Sequence, residues 1–276
     1  MEKLTEKFKT ILVVTLSLLF SLSCSKNFYD ELADKEEDDA VYFEAQKALD
    51  DLNYSQAILL IQSLGADYQT RRDVNFTLAS AFAGRCGLNF ISLAETLSDA
   101  SATGLFGIIM QGFPGSSDNS IADCISAESV INTVESDPTL RTVDENLLMA
   151  FVAFSKIGVI LNRYADSDDD GSPDGGFDHC SNADFPEADV RQIGTGIGNA
   201  VLSLGSAGST VGGSSLTALT DLCAADPLLN SLCTITDPAV FDANGVKAIR
   251  AAATANEFIG IGACNNTVVN CFLACP

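Results

Sequence analysis

The chain has 276 residues, of which 37 are acidic and 15 are lysine or arginine, so its formal net charge is −22 at pH 7. This charge repels the phosphates of nucleic acids and anionic lipid headgroups, which argues against a nucleic-acid-binding protein and favours cations or basic partners. Hydrophobic residues make up 47% of the sequence, as is ordinary for a globular protein, and the length suffices for one large or two small domains.

The first 23 residues have the parts of a secretion signal in the usual order. Met1–Lys9 is weakly positive, and Thr10–Ser23 is apolar and uncharged. This run is too short to cross a hydrocarbon core of ~30 Å as a helix, which takes about 20 residues, and it has the length of a signal-peptide apolar region. We therefore predict a signal peptide over residues 1–23 and export of the rest of the chain.

The end of this leader resembles the processing site of bacterial lipoproteins, whose motif is Leu, two small residues and Cys. The chain reads Ser21-Leu22-Ser23-Cys24, with Leu one position later than in that motif. The resemblance implies that the mature protein begins at a lipid-carrying Cys24 and is held at a membrane of the cell envelope. Ser25 agrees with sorting to the outer membrane. The alternative is an ordinary secretion signal followed by an incidental cysteine.

Eight cysteines remain when Cys24 is set aside. An even number in an exported chain predicts disulfides, because the compartment is oxidising. The short spacings favour a Cys223–Cys233 bridge and one bridge within Cys264–Cys275, and the other pairings stay open. Buried free thiols are the alternative. The eight cysteines are Cys86, Cys124, Cys180, Cys223, Cys233, Cys264, Cys271 and Cys275.

After an acidic tether over residues 24–40, apolar residues at helical spacing predict a helical domain over 41–164. Ser101–Ala122 is a glycine-broken apolar stretch that fits either a membrane or partner contact or a buried short helix and loop, and we favour burial. Asp144–Tyr164 is apolar on most sides, which is typical of a central core helix. The other predicted helices are two within Val41–Leu64, separated at Asn53-Tyr54-Ser55, one at Asp73–Leu88 and one at Asn89–Leu97.

A 34-residue period runs through the first of these helices. Ala45 and Ala79 are one period apart, and so are Tyr54 and Leu88. Over residues 38–98 the chain resembles the tetratricopeptide repeat, whose unit is a pair of helices of this length. The resemblance implies an array of helical hairpins that binds a protein partner. A plain antiparallel helical bundle is the alternative.

The C-terminal part, residues 190–276, is predicted to be helical and disulfide-bonded, with helices at Asp189–Leu204 and Gly245–Ile261. Three glycines between Gly194 and Gly198 superficially match a nucleotide-binding loop, but no strand precedes them, so we interpret them as positions of close helix contact. No long alternating β pattern occurs in the sequence. The predicted fold is therefore all-α, either a helical-hairpin array or a bundle, with an acidic loop over 165–189 between helices.

That acidic loop carries the clearest chemical pattern. Counting from Asp166, acidic residues stand at loop positions 1, 3, 5 and 9, and a glycine stands at position 6. Alternate carboxylates on a tight loop suit Ca²⁺, which takes six to eight oxygen ligands, and the position-7 ligand would be a backbone carbonyl. Position 12, a glutamate in EF-hands, is Phe177. The acidic positions and the position-7 residue are Asp166, Asp168, Asp170, Ser172 and Asp174.

The same segment resembles the thrombospondin type 3 calcium repeat, with one extra residue before Asp178. The resemblance implies that Asp178 joins Asp166, Asp168, Asp170 and Asp174 as a calcium ligand. We expect a structural Ca²⁺ that orders the connection between two helices. The alternative is a solvated acidic turn.

No set of catalytic residues stands out. The single histidine, His179, lies beside Cys180, which we expect to be oxidised and therefore unable to act as a nucleophile. We interpret the protein as an exported, lipid-anchored envelope lipoprotein that acts as a non-catalytic helical scaffold, stabilised by Ca²⁺ and bound to a protein partner but not to nucleic acid. The alternatives are a component of an envelope transport or assembly system and a hydrolytic enzyme of unknown type.

Overall fold

The computed structural model describes residues 37–99, 104–208, 219–220, 223–224, 229–256 and 259–275. Cys24, the signal peptide and nearly all of the tether lie outside these residues. Within them the chain is all-α, with 67% helix and no strands, which confirms the predicted fold class. The helices are α1 Asp38–Asp50, α2 Tyr54–Ser63, α3 Ala66–Gln69, α4 Arg72–Cys86, α5 Phe90–Asp99, α6 Leu105–Gln111, α7 Asp118–Val134, α8 Val143–Ala165, α9 Glu187–Ala207, α10 Ala243–Thr254 and α11 Val268–Ala274.

Helix α8 is the centre of the core, as its apolar sequence predicts. It starts with a capping box in which the Thr142 hydroxyl accepts from the backbone of Glu145 and the Glu145 carboxylate accepts from the backbone of Thr142. Helices α6, α7 and α9 all pack on it. By length and composition α8 is the one helix of the described residues that could cross a membrane, but 83% of its apolar window is buried inside the protein, as is typical of a core helix.

Helix α9 approaches its neighbours closely at the three glycines. A β-carbon at Gly194 would lie 2.5 Å from the ring of Phe241, and one at Gly198 would lie 2.3 Å from the carbonyl oxygen of Ile235. A β-carbon at Gly196 would lie 2.9 Å from the side chain of Ile157 on α8, so the predicted close helix contact is confirmed there, whereas Gly194 and Gly198 approach the segment between α9 and α10. Helices α8 and α9 pack on each other more extensively than any other two helices of the described residues, so the helices before and after the acidic loop form the main helix pair of the core.

The 34-residue period matches the spacing of two helix starts, at Asp38 in α1 and Arg72 in α4. Ala45 and Ala79, one period apart, are both fully buried. Helix α1 packs on α2, but the most extensive packing of α4 is on α7. The second hairpin of a tetratricopeptide-like unit is therefore not evident in this packing, and the repeat stays an interpretation.

Two parts of the fold differ from the sequence prediction. Helix α7 occupies a segment for which we predicted no helix beyond Ala122. Helix α10 ends at Thr254 and not at Ile261, because the chain turns there and Ala255 pairs with Cys264 in an isolated bridge. Gly260 packs against this turn so closely that a β-carbon would lie 2.4 Å from the carbonyl oxygen of Ala255.

All eight cysteines expected to pair do so. Two bridges were predicted, Cys223–Cys233 and one within Cys264–Cys275, and the structure forms Cys223–Cys233 and Cys264–Cys271. The other two, Cys86–Cys124 and Cys180–Cys275, join residues 38 and 95 positions apart. The first ties α4 to α7, and the second ties the acidic loop to the C-terminal end of the described chain.

Candidate metal site in the acidic loop

The acidic loop begins where α8 ends. Asp166 is the first residue outside the helix, with φ −143° and ψ 63°, and its N–H donates to the carbonyl oxygen of Asn162. The loop then runs to Pro186, which precedes α9. Because both of its ends continue into the two packed core helices, the loop starts and finishes on a rigid base.

The carboxylates at loop positions 1, 3 and 5 converge. Oxygens of Asp166, Asp168 and Asp170 all lie within 4.8 Å of one another. Gly171 has φ +84°, a conformation that glycine adopts without steric cost, and its N–H donates to both carboxylate oxygens of Asp166 at 3.2 Å. Asp166 is only 1% exposed, whereas Asp168 and Asp170 face solvent. The triad therefore has one buried and two exposed carboxylates.

The remaining predicted ligands are held by other hydrogen bonds of the loop, and Asp174 folds back to the start of the loop. The N–H of Ser172 donates to Asp170 Oδ1 at 2.8 Å. Asp174 Oδ2 accepts from the N–H and the hydroxyl of Ser167, at 3.1 and 2.6 Å. Asp178 Oδ1 accepts from the N–H of Cys180 at 2.9 Å. Among the described residues, the mutually close carboxylates of this loop are thus those of the triad.

The triad is electrostatically costly as an all-carboxylate group. Burial raises the pKa of Asp166, the negative charges of Asp170 and Asp168 raise it further, and the backbone hydrogen bond from Gly171 acts against them. A bound cation would remove this mutual repulsion. Carboxylate oxygens are hard donors, which Ca²⁺ and Mg²⁺ prefer over soft sulfur ligands.

Asp169, which the calcium pattern leaves out, fixes the loop to the rest of the protein. Its backbone has φ +59°, and its Oδ1 accepts from Asn162 Nδ2 and from the N–H of Gly115, both at 2.9 Å. These hydrogen bonds lower the pKa of Asp169. Gln111 Nε2 adds a bond to the carbonyl oxygen of Gly171 at 3.0 Å. No local sequence signal marked this anchoring of the loop, because Gly115 is 54 residues from Asp169 and Gln111 is 60 residues from Gly171.

A second anchor holds the far half of the loop. Arg250 on α10 is 4% exposed and donates to the carbonyl oxygen of His179 at 2.8 Å and to Asn182 Oδ1 at 2.5 Å. Phe177, at the position of the EF-hand glutamate, packs edge-on against the buried ring of Phe185 with centroids 5.6 Å apart. Position 12 thus supplies a core contact and no carboxylate.

His179, Cys180 and Cys275 form a second cluster of metal-ligand types. The two sulfurs are joined in a disulfide, so neither is a thiolate nucleophile or a thiolate ligand. His179 Nε2 lies 3.5 Å from Cys180 Sγ, and burial lowers the pKa of the imidazole. In its oxidised form this cluster supports neither nucleophilic catalysis nor thiolate coordination.

A surface groove lies away from the loop, between α1 and α4. A cavity of about 490 Å³ is lined by Tyr42, Gln46 and Phe76, and also by Arg72 and Glu145, which form a two-pronged ion pair with each other. A neighbouring cavity of about 470 Å³ shares Gln46 and Phe76. The two cavities lie side by side on the surface of α1 and α4, and we refer to them together as the groove.

No protein-family model, curated protein or solved structure matches the chain. The features of the described residues that point to a function are therefore the convergence of the triad around Gly171 and the groove between α1 and α4.

Proposed function

We propose that the protein is an exported, lipid-anchored envelope protein that acts as a non-catalytic helical binding module, with a structural Ca²⁺ in its acidic loop. The observation that carries the proposal is the convergence of Asp166, Asp168 and Asp170 around the turn at Gly171. An all-carboxylate group with a pre-formed glycine turn fits a hard cation better than it fits solvent alone.

The donor set of the loop fits calcium chemistry. Asp166, Asp168 and Asp170 would hold the ion, and Ser172, Asp174 and Asp178 are the further candidates along the same loop. A bound ion supplies positive charge that compensates these carboxylates. Its role is structural, because the loop connects α8 to α9, the two helices at the centre of the core. No group suited to chemistry on a bound substrate lies in the triad.

Calorimetry with matched variants tests this calcium site. At an extracellular-type Kd of about 10⁻⁴–10⁻³ M, about 10 mM Ca²⁺ stabilises the folded state by about 1.4–2.7 kcal/mol. That raises the Tm of a domain of this size by about 3–10 °C. Asp168→Ala with Asp170→Ala removes the rise. The control variant Asp50→Ala with Asp51→Ala removes the same charge at two other exposed positions and should keep the calcium-dependent rise in Tm. A wild-type Tm that ignores Ca²⁺ would contradict the proposal.

Export is supported by the disulfides and by the leader. Four bridges among the described residues are typical of an oxidising compartment outside the cytoplasm. The lipid on Cys24 remains a proposal drawn from the sequence. Labelling of bacteria with a fatty-acid analogue tests it: label on the wild type and none on Cys24→Ala is the expected result. An unlabelled, unprocessed wild type would contradict it.

The partner is proposed to be a protein that docks in the groove between α1 and α4. The groove offers an aromatic wall at Phe76 and the exposed ring of Phe43, with charged groups along its rim. Such a surface suits a peptide or helix better than nucleic acid, which the net charge of the chain repels. Crosslinking in intact envelopes followed by capture tests this partner. A component of a transport or assembly system should yield a stable crosslinked protein, whereas a free-standing scaffold yields none.

A further inference from the structure

A fully buried lysine lies at the middle of the core helix α8. Lys156 is 0% exposed, and its Nζ contacts side chains from both neighbouring helices, α7 and α9. The distances are 2.5 Å to Glu128 Oε2, 2.8 Å to Thr195 Oγ1 and 3.1 Å to Gln192 Oε1. The last of these acceptors, Gln192 Oε1, is the oxygen of a side-chain carboxamide. The carbonyl carbon of a carboxamide is an electrophile that an amine can attack.

This cluster is costly as a simple ion pair. Two opposite charges in the core lose their hydration, and their attraction repays that loss only when every remaining lone pair and proton is satisfied. Glu128 is 6% exposed, and its second oxygen, Oε1, has no hydrogen-bond partner. A buried, unpartnered carboxylate oxygen next to a buried amine is therefore the feature that a purely structural role leaves unexplained.

We propose that Lys156 and Gln192 join in an intramolecular amide bond, with Glu128 as the proton relay. The ammonium proton of Lys156 first passes to Glu128, which leaves a neutral amine. The nitrogen attacks the Gln192 side-chain carbon, a new C–N bond forms, and the bond from that carbon to its original nitrogen breaks. Glu128 gives its proton to the departing nitrogen and takes the second amine proton, so ammonia leaves. The reaction changes no oxidation state, so it needs neither an oxidant nor a reductant.

The surroundings favour each part of this reaction. Burial lowers the pKa of Lys156, which increases the share of the neutral, nucleophilic amine. The unpartnered Oε1 of Glu128 is free to serve the departing nitrogen while Oε2 contacts Nζ. Three helices packed on one another hold amine, carboxyl and carboxamide together, which replaces an encounter in solution by a fixed approach.

The product would lock the two helices that flank the acidic loop. Lys156 and Gln192 are 36 positions apart, and the whole acidic loop lies between them. A covalent bond there converts the loop into a closed ring on the core. It also removes both charges from the interior, since the amide is neutral and Glu128 ends the cycle protonated while neutral ammonia leaves.

The mass of the purified full chain tests the proposal. After reduction and alkylation of the disulfides, the wild type should weigh less than its sequence by one ammonia, and digestion should yield one branched peptide that links Lys156 to Gln192. Glu128→Gln keeps both reacting groups and should restore the full mass. Lys47→Met, which replaces an exposed lysine, should keep the loss of ammonia.

Two results would overturn the proposal. One is a wild type of full mass that yields Lys156 and Gln192 in separate, unmodified peptides. The other is a branched peptide that joins Lys156 to Glu128, which would be accompanied by loss of water in place of ammonia. The wild-type measurement alone distinguishes these outcomes, so the test holds even where the Glu128 variant fails to fold.

Discussion

Replacing Gly198 by alanine tests the close packing of α9. In an open helix this change stabilises by about 0.8–1.0 kcal/mol, because alanine has the higher helix propensity. At Gly198 the new β-carbon would lie 2.3 Å from the carbonyl oxygen and 2.9 Å from the carbonyl carbon of Ile235. These are backbone atoms and cannot turn aside, so overpacking by about 3 kcal/mol outweighs the gain. We expect a net loss of about 2 kcal/mol.

Gly205 is the matched control on the same helix. A β-carbon there meets no atom within 4 Å, so Gly205→Ala should be neutral or stabilising by about 0.5 kcal/mol. Urea unfolding followed by circular dichroism, at one fixed calcium concentration, measures both variants. A Gly198→Ala variant at least as stable as the wild type would refute the close approach of α9 to the segment at Ile235.

Three further predictions follow from contacts around the core and the loop. The hydrogen bonds from Arg72 lower the pKa of Glu145 from its ordinary 4.5 to about 2, so the pair stabilises the fold above pH 4.5 and loses that effect as pH falls towards 2. Glu145→Gln should therefore reduce the change in unfolding free energy across that pH window by about 1 kcal/mol. An unchanged pH dependence would contradict the pairing. Asp169→Gly tolerates the positive φ but removes the oxygen that accepts hydrogen bonds from Gly115 and Asn162, so it should lower the unfolding free energy by about 1–2 kcal/mol in chemical denaturation. Asp169→Asn keeps an acceptor oxygen and should lower it by less. Equal losses of stability in the two variants would refute the anchoring role. Replacing both cysteines of the Cys180–Cys275 bridge by serine should lower the unfolding free energy by about 2–4 kcal/mol. The same change at the Cys264–Cys271 bridge should lower it by less, because a bridge across 95 residues restricts the unfolded chain more than one across 7. The reverse order would contradict this chain-entropy argument.

The fold class and most helices could be predicted from local sequence. The apolar spacing of α8 and the break at Asn53 between α1 and α2 were clear, and both are confirmed. Helix α7 was missed because its buried positions are spread thinly and include small or polar residues such as Ala127, Asp123 and Glu128. The end of α10 was misplaced because the turn at Ala255 depends on contacts with the C-terminal segment, which local periodicity does not contain.

The acidic loop was partly predictable. The spacing of Asp166, Asp168 and Asp170 and the turn at Gly171 follow from the sequence pattern, and the structure brings the three carboxylates together. What the pattern could not give is the fixation of the loop by distant residues. The role of Asp169 depends on Gly115, and the role of Arg250 depends on which helix lies against the loop, so neither could be read from local sequence.

Titration of Ca²⁺ into the folded, calcium-free protein shows whether the acidic loop binds calcium. We expect binding that saturates at one ion per chain with a Kd of about 10⁻⁴–10⁻³ M. The double variant Asp168→Ala with Asp170→Ala should stay folded and lose this binding. Absence of saturable binding to the wild type, or equal binding to the double variant, would contradict it.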